Sequence, residues 1–88
     1  MSITDEELAA RLLFKLVRRR KWQASHTPRD LLRWGIPKHE LGRVGNIVSG
    51  LVRRGWLVVK KTGHGEDVFL NFHKRDEILE FVDKNLKR

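Results

Sequence analysis

The sequence predicts one small α+β domain, mostly helical, and three observations carry that reading. Apolar residues recur at helical spacing in three separate stretches. Between the last two of them lies a pair of short runs rich in β-branched and aromatic residues, joined by a glycine-containing segment. The 88 residues suffice for a single core and little more.

The first helix is expected over residues 4–20. Thr4-Asp5-Glu6-Glu7 has the form of a capping box, in which a hydroxyl and a glutamate three residues on satisfy backbone donors reciprocally. Leu8, Leu12, Leu13, Leu16 and Val17 then share one side, with Arg11, Lys15, Arg18 and Arg19 opposite and cations crowding the last turn, where they suit the helix dipole. Lys21-Trp22-Gln23-Ala24 is a candidate short strand. Thr27-Pro28-Arg29-Asp30 again shows a hydroxyl cap, a proline at the first helical position and an acid in the first turn, which predicts a short helix over 27–34 ended by Gly35. Leu31, Leu32 and Trp34 are its expected buried residues.

A long helix is expected over 37–54, entered at Pro37 and stopped by Gly55. At about 100° per residue, Leu41, Val44, Ile47, Val48, Leu51 and Val52 gather on one side. His39, Gly42, Arg43, Asn46, Ser49, Gly50 and Arg53 gather on the other, with no carboxylate among them. Each glycine inside a helix costs about 1 kcal/mol relative to alanine, so each invites a reason. Gly45, at the edge of the apolar side, is expected to admit close packing by another helix, whereas Gly42 and Gly50 on the polar side suit either approach by a ligand or a weakened helix. Trp56 to Lys61 and Val68 to Phe72 form the expected hairpin, 56–72, around a loop Thr62-Gly63-His64-Gly65-Glu66-Asp67 longer than the tight two-residue kind. Ile78, Leu79, Val82 and Leu86 predict a closing helix over 74–87.

The charge is segregated. From Arg11 to Lys61 there are 14 lysines and arginines against two acids, Asp30 and Glu40, a net of +12 within a chain of formal charge +8. A field of that density attracts polyanions and favours nucleic acid over general solubility. There is no cysteine, hence no disulfide framework and no thiolate chemistry. The four histidines have neither metal-ligand spacing nor a carboxylate pair beside them, and no phosphate-binding loop or nucleophile–base arrangement occurs, so neither metal, cofactor nor enzymatic activity is expected. The three tryptophans are expected in the core rather than stacked on unpaired bases. No apolar run is long enough to span a membrane, and the first residues are acidic where a signal peptide would be basic. A cytoplasmic protein is expected, nucleoid-associated if prokaryotic.

The order of helix, short strand, helix, tight turn, long helix, hairpin and helix resembles the winged helix-turn-helix family. The join Leu51-Val52-Arg53-Arg54-Gly55-Trp56-Leu57 is similar to the passage from recognition helix to first wing strand in its members. The resemblance covers residues 4–72 and makes the last helix an addition. It implies a two-stranded wing and a long helix lying in the major groove of duplex DNA. The groove-facing residues would be Lys38, His39, Arg43, Asn46 and Arg53, with Arg43 suited to guanine and Asn46 to adenine. Thr27, Arg29 and Arg33 would meet phosphates, and the wing would add Lys60, Lys61, Thr62 and His64. The implied function is DNA binding in transcription regulation or nucleoid organisation. An RNA-binding or ribosome-associated protein and a protein-interaction module are the alternatives. The apolar residues of the first and last helices exceed what one short core partner covers, making them a candidate homodimer interface in which Leu79 and Phe81 stand out.

Overall fold

The computed structural model describes residues 3–86. Helix α1 spans Asp5–Arg18, strand β1 Thr27–Pro28, helix α2 Leu41–Arg53, strand β2 Leu57–Thr62, strand β3 Gly65–Leu70 and helix α3 Arg75–Asn85. Short 3₁₀ turns occupy Arg29–Arg33, Lys38–Glu40 and Phe72–Lys74. The chain is thus α+β, with three α-helices against a three-stranded antiparallel sheet of order β1-β3-β2. No helix among the described residues is long and apolar enough to cross a membrane.

The Thr4 cap forms as expected, its hydroxyl oxygen accepting from the Glu7 backbone N–H at 3.0 Å. The Glu7 carboxylate does not return to the backbone; it receives Arg11 at 3.2 Å, one turn along. From this start α1 sends Leu8, Leu12, Leu13 and Leu16 into the core, each almost fully buried. They meet Leu32, Val48, Leu57, Val68, Leu70 and Ile78, so that all three helices, strands β2 and β3 and the turn Arg29–Arg33 contribute to one cluster. Each such leucine removed from water stabilises the fold by roughly 1.5–3 kcal/mol.

The segment 27–34 departs from expectation. Thr27 and Pro28 are not a helix start; they pair with Val68 and Asp67 as the edge strand β1. Proline suits an edge, where its missing N–H leaves no gap in a ladder. The helical part is the 3₁₀ turn Arg29–Arg33, without a side-chain cap. The candidate strand at 21–24 is reduced to one parallel bridge, Trp22 to Leu70. The third strand exists, six residues later than the sequence suggests.

Two further boundaries move. Pro37 precedes a 3₁₀ turn, and α2 proper begins at Leu41. The hairpin loop is the tight kind after all: Thr62 pairs with Gly65, and Glu66 and Asp67 belong to β3 opposite Lys61 and Lys60. Gly35 and Gly55 do adopt the left-handed conformation expected of helix ends, with φ of 75° and 78°. The last helix ends at Asn85, and its expected final residue, Lys87, lies outside the described residues. Helices α1 and α3 pack on one another. Phe81 is partly buried within the chain, its ring 5.2 Å from that of Trp56.

Candidate nucleic-acid interface

Helix α2 turns Val44, Val48 and Leu51 into the core and leaves Gly42, Gly45, Asn46, Ser49 and Arg53 exposed. That is the polar side read from the sequence, with corrections at its margins. Leu41 and Ile47 are only partly buried, and Val52, expected inside, is exposed. It sits with Ser49, Arg53 and Val59 in an open groove of about 300 Å³ between α2 and the sheet. Gly45 is not a packing glycine: it is exposed, and a Cβ built on it would meet nothing within 4 Å. The same holds for Gly42 and Gly50. The fold therefore supplies no steric reason for any of the three.

Arg43 departs furthest from its expected role. Its guanidinium turns toward the start of α1, donating to the Ile3 carbonyl at 2.8 Å and to the carboxylates of Asp5 and Glu40. Glu40 is only 4% exposed, the one buried charged residue among those described. The hydrogen bond to Asp5, followed by that to Glu40, holds the Arg43 pKa above its ordinary value against the opposing effect of burial. Arg43 is thus a tie between α1 and α2 and not a groove-facing side chain. Asn46 stays exposed but lines a cleft shared with Asp5, Glu6 and Gly50.

The remaining expected residues divide by what they touch. Lys38 and His39 are exposed just before α2, with His39 3.5 Å from the Glu40 carboxylate. Lys60, Lys61 and His64 are exposed at the hairpin tip. Thr62 is occupied there, its hydroxyl donating to the Gly65 carbonyl at 3.3 Å and accepting from the His64 N–H at 3.2 Å. Thr27 is half-buried in β1, and Arg29 is paired with Glu66 at 2.7 Å. Arg33 is exposed.

Three acids near this surface are engaged within the chain. Glu66 holds Arg29, Asp67 meets His26 at 2.6 Å, and Glu40 holds Arg43. Lys38, Arg53, Lys60 and Lys61 are left exposed without an ion-pair partner among the described residues. Asp30 is the one exposed acid between Arg11 and Lys61. Among the described residues no group of three or more histidines and acids is placed to hold a metal ion.

Trp34 was missed as a surface residue. It is 63% exposed, because Gly35 reverses the chain and the Lys15 ammonium holds the backbone carbonyls of Leu32, at 3.1 Å, and Trp34. Burial, and then the nearby Arg19, press the Lys15 pKa below its ordinary value. No local signal in Leu31-Leu32-Arg33-Trp34 foretells this outward turn. Trp22 and Trp56 pack partly against the core, as expected. Comparison with family models, with curated proteins and with solved structures returns no match.

Proposed function

We propose that this chain is a winged helix that binds duplex DNA, laying α2 along the major groove and reaching phosphates with the β2–β3 hairpin as its wing. The observation that carries the reading is the division of charge. Three acids next to the basic surface, Glu40, Glu66 and Asp67, are held in internal pairs, while Lys38, Arg53, Lys60 and Lys61 stand exposed around a face of α2 that carries no carboxylate of its own. The succession of the 3₁₀ turn Arg29–Arg33, α2 and the hairpin, with the sheet order β1-β3-β2, supports it. With Arg43 engaged elsewhere, the outward face of α2 offers Asn46, Ser49 and Arg53 as groups that can meet base edges. A face so poor in long side chains favours backbone approach over a rich base code. Nucleoid organisation, or regulation at sites of modest specificity, follows more naturally than tight single-site control.

Five exposed cations, Arg33 with the four above, each meeting one phosphate would give log K against log salt a slope of about −4.5. Fluorescence anisotropy with a short duplex measures that slope. Absent or salt-insensitive binding overturns the proposal, and preference for structured RNA over duplex DNA in competition replaces it with an RNA-binding reading.

A further inference from the structure

Four consecutive cations, Arg18, Arg19, Arg20 and Lys21, close α1 and lead out of it. Among the described residues none of them meets a carboxylate. Arg18 lies over the Phe14 ring at 5.8 Å and Arg19 reaches back to the Lys15 carbonyl at 3.4 Å. The side chains of Arg20 and Lys21 make no hydrogen bond or ion pair.

Arg20 is also strained, with φ of 55°. The end of α1 is closed by Arg20 N–H to the Val17 carbonyl and Lys21 N–H to the Leu16 carbonyl, at 3.1 and 3.0 Å. The end of α2 uses the same two bonds, Gly55 to Val52 and Trp56 to Leu51, at 2.9 and 3.1 Å, with glycine at the left-handed position where it belongs. Gln23, the other left-handed residue that is not glycine, has a use inside the fold: its side-chain oxygen accepts from the Phe72 N–H at 2.9 Å. Arg20 has none. An arginine in a glycine position, its side chain holding nothing of its own chain, points to a partner outside it.

The cluster stands at the far end of the sheet from the hairpin tip. The Lys21 carbonyl accepts from the Leu70 N–H at 2.7 Å, and Leu70 pairs with Leu57 at the base, whereas Lys60 and Lys61 approach the turn at Thr62 and Gly65. The length of β3 between them is roughly 17 Å at strand spacing. That is about twice the screening length at physiological salt, so the two ends act as separate sites. From this geometry we infer that the end of α1 is a second nucleic-acid surface, taking the phosphates of another duplex segment so that one molecule bridges two. The inference rests on the proposed binding of a first duplex by α2 and the hairpin.

The test is capture of a fluorescent duplex by a bead-bound duplex in the presence of the protein, read beside anisotropy with a single duplex. The wild type is expected to bind one duplex and to capture the second. Arg19→Gln/Arg20→Gly should melt no lower than the wild type, since glycine relieves the strained position, and should hold a single duplex within about two-fold while losing capture on the order of ten-fold. Lys60→Ala/Lys61→Ala should weaken single-duplex binding and lose capture as well. A wild type that binds one duplex and captures no second overturns the inference and leaves the proposed function standing. Unimpaired capture by the Arg19→Gln/Arg20→Gly variant also overturns it, even if that variant loses binding to phosphatidylglycerol vesicles or polyglutamate. A wild type with no duplex affinity fails already in the anisotropy measurement, where the proposed function and the inference fall together.

Discussion

Replacing Gly45 by alanine separates stability from binding on the same helix face. Gly45 lies well inside α2, and an added Cβ would meet nothing within 4 Å. With no packing to disturb, the substitution should express the intrinsic difference in helix propensity, about 1 kcal/mol in favour of alanine. For a domain of this size that raises the melting temperature by about 4–8 °C. Thermal unfolding followed by circular dichroism reads it directly. If α2 enters a groove with its backbone close to the nucleic acid, the added methyl stands where the ligand must approach, and duplex affinity falls while stability rises. A variant that melts at or below the wild type would show that the glycine does have a structural role. One that melts higher and binds equally well would remove close approach from the account of α2.

The remaining predictions concern the ties around that helix. Glu40→Gln should lower the melting temperature, because it removes a buried charge partner of Arg43, yet leave base preference unchanged; altered preference in a selection from random duplexes would return Arg43 to the groove. Lys15 bears on pH. Its pKa is depressed in the folded state, so the unfolded chain binds more protons between the depressed value and 10.5, and the Lys15 contribution to stability is least favourable at neutral pH and improves as pH rises toward 10.5. Urea unfolding of the wild type and Lys15→Gln across that window should show the difference shifting toward the wild type, and a constant difference would contradict the assignment.

Most elements were legible in the sequence because their signals are local. The Thr4 cap, the leucines of α1, the core side of α2 and the two glycine stops depend on spacing alone. What escaped depends on residues far apart in the chain. Thr27-Pro28 carries the same letters whether it starts a helix or edges a sheet, and pairing with Val68 and Asp67, about forty residues on, decides between them. Glu66 and Asp67 look like loop residues until Arg29 and His26 arrive to hold them in a strand. Arg43 lies on the border of the polar arc, where a partner at Asp5 turns it inward. Trp34 follows Leu31 and Leu32 as a third apolar residue, and a lysine from α1 fixes the backbone that points it out. For the candidate interface, the sequence identified exposed cations well and overestimated those with acids to answer them. It could not anticipate which acids would come near.

The sheet order has a consequence for how the chain acquires its shape. The central strand β3 is the last of the three to be synthesised, so β1 has no partner to pair with until residue 70 has emerged. The hairpin can form by itself within about 1–10 μs, whereas docking of β1 must close a loop of some forty residues. Val68 and Leu70, both fully buried, join the core in that same step. A nascent chain halted before β3 would carry its helices with their leucines uncovered and its strongest block of positive charge already displayed. For the interval before β3 appears, it has the attraction to polyanions without the fold that directs it.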